Sequence, residues 1–308
     1  MENKKQVRPL PIFLKTLILK ISEIIEEEEF ILYGGAPIDY LFNGNKKFND
    51  LDIAIKKTNK KDIDNLRKIL IKKGFDIVVP FREYTVRKTK KVYLMYAIKK
   101  HLVLDICFLS DYDLASGLFN LDNLYCRFPE LDIVDDYNSI DGIKRKMFVP
   151  TRNLTKDNPY LLLSRFIYLC AKYQIYPMDD PINKKILLKI KKETEAIMHP
   201  VSSDQFSSCL NSILKSIIKI DDRKYFLKNL INSGIFGKTM PVLCKSLRLA
   251  IKANDNYLDE IKTKKALILY LFNLLDDKNS KKDFLELITC LRFRKWDSEY
   301  NYLFNIKL

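Results

Sequence analysis

The sequence predicts an α+β region over residues 1–150 followed by an all-helical region over 151–308. Three observations lead there. Short β-rich runs crowd between "FILY" at 30–33 and "HLVLDICFL" at 101–109. Beyond about residue 150 that texture fades, and apolar residues recur at helical intervals. Prolines then punctuate the chain, at Pro177, Pro181, Pro200 and Pro241, with the boundary placed near Pro150. A chain of 308 residues has room for one large domain or two ordinary ones.

The elements follow in order. Leu14, Leu17, Ile18, Ile21, Ile24 and Ile25 stand at helical spacing, which predicts a helix over 12–29. "FILY" reads as a strand ending at Gly34-Gly35, and residues 36–44 read as a short helix that tolerates Pro37 in its first turn. "DLDIAI" at 50–55 alternates like a strand, and 60–74 is an amphipathic helix closed by Gly74. Strand-like runs follow at 75–80, 83–88, 91–98 and 101–109, with a hairpin turn at 88–91. The expected later helices are 159–174, 182–197, 205–219, 223–233, 240–253, 257–275 and 281–292.

Composition narrows the chemistry. Hydrophobic residues make up 47% of the chain and charged residues are interleaved with them, as in a globular protein. The 54 Lys and Arg outnumber the 39 Asp and Glu, for a formal net charge of +15. Such a field attracts polyanions, above all RNA or DNA. The alternative is joint inflation of Lys, Asn and Ile, as in an AT-rich genome. Six cysteines are spread without a zinc-type cluster, which points to free thiols in a reducing, non-secreted compartment such as the cytoplasm. With only His101 and His199, histidine-based metal or triad chemistry is disfavoured, so any metal must be held by carboxylates. No signal peptide and no apolar run long enough to cross a membrane is seen, so no membrane partner is expected.

Residues 33–55, "YGGAPIDYLFNGNKKFNDLDIAI", carry the main candidate site. In a strand, residues i and i+2 share a face, so Asp50 and Asp52 project together while Leu51 and Ile53 turn to the core. Paired carboxylates resist ionisation unless a cation lies between them, and Mg²⁺ suits oxygen donors shared with substrate phosphates. Asp105 interrupts another apolar strand-like run, "VLDI". A third carboxylate on a neighbouring strand would complete a clamp for two Mg²⁺ ions, or Mn²⁺ in their place, in displacement at phosphorus. Gly34 and Gly35, free of Cβ, would let a triphosphate approach the backbone at a helix N-terminus. Taken singly, Gly-Gly is usually a turn and Asp-x-Asp a solvated strand end; their order and spacing raise the site above either.

These residues resemble the class II nucleotidyltransferase superfamily, the tRNA CCA-adding enzymes and bacterial-type poly(A) polymerases. The family's Gly-Gly-x-x-Arg-Asp motif, followed by Asp-x-Asp on a strand, stands here as Gly34-Gly35-Ala36-Pro37-Ile38-Asp39 and Asp50-Leu51-Asp52. Its third acid matches Asp105. Segments 113–128, 132–148, 158–175 and 225–243 resemble later family segments in order, so the likeness spans roughly residues 30–250. Departures are plain: the first-motif arginine is Ile38, the second motif's paired arginines fall on Ser116 and Gly117 and its aspartate on Leu118, and the third motif's Gly-Gly falls on Asn138 and Ser139. The neck segment, which in the family supplies Asp and Arg to read the base, retains Arg165.

The resemblance implies a polymerase-β-like nucleotidyltransferase head, with a mixed sheet and helices, over 1–150, and a helical, RNA-binding neck and body over 151–308. It implies transfer of AMP from ATP to the 3′ end of an mRNA-like RNA or a tRNA, with two metal ions on Asp50, Asp52 and Asp105, and Gly34, Gly35 and Arg165 as nucleotide contacts. The thinned base-reading motif favours poly(A)-type addition over CCA addition. Addition of a single nucleotide to tRNA or protein and a non-catalytic RNA-binding subunit stay open, as do a homo-oligomer and a partner subunit. Basic clusters at 144–146, 184–192, 262–265 and 292–295 offer phosphate contacts, with solvated faces the plainer reading of each. Tyr160, Tyr168, Tyr173 and Tyr176 are core residues or stacking platforms.

Overall fold

The computed structural model describes residues 6–48, 50–86, 90–112, 117–151, 159–196, 204–253 and 256–289. It has an α+β architecture, as expected, with an eight-stranded mixed sheet and twelve α-helices among the described residues. The chain separates into two compact units. One comprises Met1–Arg145 and Val149–Arg152, the other Lys146–Phe148 and Asn153–Leu308.

The first unit holds the whole sheet. Its strands are β1 (Gln6–Pro9), β2 (Phe30–Tyr33), β3 (Leu51–Ile55), β4 (Asp76–Val86), β5 (Lys90–Lys99), β6 (Leu102–Phe108), β7 (Tyr125–Phe128) and β8 (Asp132–Asp135). They lie in the order β1-β8-β7-β2-β3-β6-β5-β4. Every neighbouring pair is antiparallel except β3 and β6. Along one face Leu32, Ile53, Ile106 and Met95 stand in register, each with 0% exposure. Burying side chains of this size contributes about 1.5–3 kcal/mol apiece. Four helices accompany the sheet: α1 (Ile12–Ile25), α2 (Gly35–Asn43), α3 (Lys60–Lys72) and α4 (Ser139–Lys144). α2 packs on β2 and β3, α3 on β4, and α1 on α3.

Several expected boundaries move for identifiable reasons. The first helix ends at Ile25 rather than residue 29, with Glu26 in the left-handed conformation. Residues 26–29 are four successive glutamates, which repel one another and oppose the negative end of the helix dipole. The runs at 75–80 and 83–88 form one strand, β4, with register shifts between Ile77 and Val79 and between Val79 and Arg82. β4 is the last strand of the sheet, where Pro80 can be accommodated in an otherwise hydrogen-bonded ladder. β1, β7 and β8 were not foreseen; each has four residues, too few for alternation to register.

The second unit is helical: α5 (Pro159–Lys172), α6 (Pro181–Glu195), α7 (Asp204–Lys219), α8 (Arg223–Ser233), α9 (Pro241–Lys252), α10 (Tyr257–Glu260), α11 (Lys264–Asn273) and α12 (Lys278–Thr289). The expected helix over 257–275 is two, because Ile261 is extended and the Thr263 side chain accepts from Ala266 N–H as the cap of α11. Buried polar side chains bind backbone here, Asn183 and Arg223 among them. The Asn183 amide accepts from Phe148 N–H and donates to the Lys146 carbonyl at 2.9 and 2.8 Å. The Arg223 guanidinium donates to the carbonyls of Ile218, Leu258 and Ile261, tying the end of α7 to the end of α10. Burial lowers its pKa from the ordinary arginine value.

Candidate active site

At the end of β2 the chain turns through Gly34 directly into α2. Gly34 has φ 73° and ψ −136°, a conformation essentially restricted to glycine. A Cβ on Gly34 would stand 2.1 Å from Oδ2 and 2.9 Å from Cγ of Asp52. This corner therefore needs glycine twice over, for its backbone and for the carboxylate packed against it. Gly35 opens α2.

Strand pairing sets four side chains in a row. Tyr33 on β2 is opposite Asp52 on β3, Asp52 is beside Asp105 on the parallel β6, and Asp105 is opposite Tyr96 on β5. Laterally paired residues share a sheet face. The next row on that face is apolar: Ile31, Ala54, Cys107 and Leu94. Asp50 lies just before β3 and is exposed, while Asp52 and Asp105 are half-buried.

The electrostatics of the row follow from this crowding. Burial raises the pKa of Asp105 above the usual carboxylate value; a hydrogen bond with Tyr96 acts against the rise, and the charge of Asp50 adds to it. The Cys107 thiol is pushed up to about 12, by burial first and then by Asp105, and it shares a hydrogen bond with Tyr33. Tyr33 is raised well above the ordinary tyrosine value by burial, Cys107, Asp52 and Asp105. Negative charge is thus concentrated at Asp52 and Asp105, with Asp50 near enough for its charge to act on Asp105, and a cation there would lower the energy of the carboxylates.

The carboxylates suit a hard divalent cation in donor type and charge. Among the described residues no three His, Cys, Asp or Glu side chains come together as a group that could hold a metal ion, so the structure sets Asp52 beside Asp105 without gathering Asp50 into a three-carboxylate cluster. Mg²⁺ commonly takes one or two protein carboxylates and completes its shell with water and substrate phosphates, a demand this set can meet.

The downstream segments form a second, structural layer in the same unit. Leu118, at the resembled motif's aspartate position, is buried. Asn123 Oδ1 accepts from Gly117 N–H at 2.8 Å, and Asn120 Oδ1 accepts from Val149 N–H at 2.8 Å. Gly142 on α4 packs so closely that a Cβ would stand 2.1 Å from Asn120 Nδ2. Asn138, at a resembled glycine position, has φ 55°, a left-handed conformation that Asn tolerates better than most residues. The Asp135 carboxylate accepts from the N–H groups of Ser139 and Ile140 and caps α4.

Arg165 belongs to α5 of the helical unit, with its guanidinium 5.0 Å from the centre of the Tyr168 ring. Lys219 approaches the same ring at 5.6 Å. Tyr160 is core, edge-on to Phe206, and Tyr176 packs on Tyr225 and Phe226. Lys184, Lys185, Lys189 and Lys192 are exposed on α6, with Ile186, Leu187 and Ile190 buried beneath. Ser116, Cys290, the basic run at 292–295 and turn residues 87–89 lie outside the described residues. The described cysteines are free and buried. Among the described residues no helix is long and apolar enough to cross a membrane.

Sequence reasoning overlooked Tyr33, Tyr96 and Cys107 as neighbours of the acids. Cys107 was legible, two residues from Asp105 in one strand. Tyr96 was legible only through the two-residue connection Lys100-His101, whose pairing of Lys99 with Leu102 sets Tyr96 opposite Asp105.

No protein-family model matches this chain, and no curated protein matches it. Solved structures do. A "tRNA-processing enzyme (apo form I)" aligns with TM-score 0.59 and 14% identity over 92% of this chain and 76% of its own. "Structure of tRNA-processing enzyme complex 3" aligns with TM-score 0.54 and 14% identity over 92% of this chain and 77% of its own. The likeness is one of fold, extending across both units.

Proposed function

We propose that this protein is a template-independent RNA 3′-end nucleotidyltransferase, adding AMP from ATP to RNA. The observation that carries the reading is the register of Asp52 beside Asp105, with Gly34 shaped to leave room for the Asp52 carboxylate. In this reading Asp50, Asp52 and Asp105 hold two Mg²⁺ ions, or Mn²⁺ in their place. When bound, such ions stabilise charge on the attacking hydroxyl oxygen and on the departing pyrophosphate. The chain's own residues prepare that site. Gly34 keeps side-chain bulk away from Asp52 at the entry to α2, and the α2 N-terminus offers N–H groups and a favourable dipole to a triphosphate. Tyr96 hydrogen-bonds Asp105, and the buried apolar row behind the acids excludes water from one side. The positive net charge draws the polyanionic substrate.

A second reading, addition of CCA to tRNA, is favoured by the fold shared with two proteins described as tRNA-processing enzymes. Replacement of the motif cations by Ile38 and Gly117 supports a non-catalytic RNA-binding subunit as the third. One experiment separates them. Unstructured RNA and a tRNA lacking CCA are incubated with Mg²⁺ and each nucleotide singly, and with CTP and ATP together, beside an Asp50→Ala/Asp52→Ala variant. A ladder with ATP alone, lost in the variant, supports AMP polymerisation. Three additions to tRNA from CTP and ATP support the second reading. RNA binding without extension under any condition overturns the enzyme reading.

A further inference from the structure

In the helical unit, a groove of about 360 Å³ runs along one face of α9. Its lining includes Pro241, Cys244 and Leu249 as an apolar floor and Lys245, Arg248 and Lys252 as cations. The cations recur at i, i+3 and i+7, so they form one stripe along the helix. Their Cα atoms span about 10 Å along the axis at 1.5 Å per residue. Lys245 is already held, by Asp277 and Ser280, each at 2.7 Å. Arg248 and Lys252 are exposed and make no ion pair, side-chain hydrogen bond or ring contact among the described residues. Among the described residues no carboxylate lines the groove. An apolar trough edged by two unneutralised cations fits an anion with a flat or apolar body. A nucleic-acid strand has that chemistry, with phosphates for the cations and base or sugar surface for the floor.

We infer that the α9 groove binds the phosphate backbone of a single RNA strand through Arg248 and Lys252. The identity of the strand as RNA rests on the proposed function; the groove's preference for phosphate does not. Lys245, fixed to Asp277 and Ser280, shapes one end of the trough and leaves the other two cations to meet the ligand.

The test measures binding of the full chain to a fluorescein-labelled unstructured oligoadenylate by anisotropy across a salt series. The variants are Arg248→Gln/Lys252→Gln and a charge-matched control, Lys15→Gln/Lys20→Gln, at exposed positions of α1 in the other unit. Losing two phosphate contacts lowers the slope of log K against log salt by about 1.4 for a single strand. The wild-type loss of affinity between 50 and 200 mM salt then shrinks by about sevenfold in the groove variant. The control, which changes only the net field, moves the slope by less than half as much. Equal effects in the two variants, an unchanged slope in the groove variant, or no binding by the wild type overturns the inference. Loss of binding to phosphatidylserine vesicles with RNA binding intact also overturns it, in favour of a lipid surface. The extension assay is read separately. Extension with an unchanged slope removes the groove and keeps the transferase; a lowered slope without extension does the reverse.

Discussion

Replacing Gly34 by alanine tests the candidate site at its tightest point. The new Cβ would lie 2.1 Å from Asp52 Oδ2, far inside van der Waals contact, in a backbone conformation that L residues scarcely adopt. The backbone strain alone costs about 1–3 kcal/mol. The overlap is relieved only by moving the carboxylate or opening the β2–α2 corner, adding about 1–3 kcal/mol as overpacking does elsewhere. Displacing a reacting group by about 1 Å lowers turnover on the order of 100-fold. Gly34→Ala is therefore expected to lose about 2–6 kcal/mol in urea unfolding and about 100-fold or more in extension rate. Two controls divide the effect. Gly44 also has positive φ, 61°, but nothing lies within 4 Å of its added Cβ, so Gly44→Ala keeps its activity. In an Asp52→Ala background the carboxylate clash disappears and only the strain remains, so the two substitutions couple by at least about 1 kcal/mol. Full stability and full activity in Gly34→Ala, or additive effects in the double variant, would refute the reasoning.

Asp105 has a folded pKa raised by burial, so its ionised form opposes folding. Without divalent ions, wild type should lose stability relative to Asp105→Asn as pH rises from the ordinary value of 3.8 through the raised one, then run parallel above it; denaturant melts across pH check this. Adding Mg²⁺ should raise the melting temperature of wild type and leave Asp105→Asn nearly unmoved, measured by differential scanning calorimetry. Arg223→Ala strips three carbonyls of their donor and should lower stability by about 3 kcal/mol in urea unfolding of the full chain. Asn183→Leu leaves Phe148 N–H and the Lys146 carbonyl unmatched and should cost about 2–4 kcal/mol, with hydrogen exchange at Phe148 accelerated.

Local chemistry made much of the fold legible. The helix over 60–72 shows its apolar stripe, its Asn59 cap and its end at Gly74 in a short span of sequence. β2, β3 and β6 are dense in β-branched or aromatic residues and were readable as strands. Short elements escaped, because four residues of β7 or β8 carry no measurable period and are made into strands by their neighbours. The gap between α10 and α11 escaped because Leu258, Ile261 and Leu267 are all buried, so apolar spacing continued across a break that the Thr263 cap imposes.

By itself the sequence determined that two glycines precede two aspartates at strand spacing, that a third acid interrupts an apolar strand, and that the chain is strongly basic. These are properties of residue type and short-range periodicity. Only the tertiary structure decided which acids meet. Asp52 and Asp105 are 53 positions apart by numbering and become neighbours because β6 pairs parallel to β3 after the chain has passed through α3, β4 and β5. Only it decided why the corner after β2 requires glycine at position 34, since that depends on a carboxylate arriving from another strand. Long-range pairing and steric exclusion are set by where distant segments are brought together, and a local pattern of residues does not contain that information.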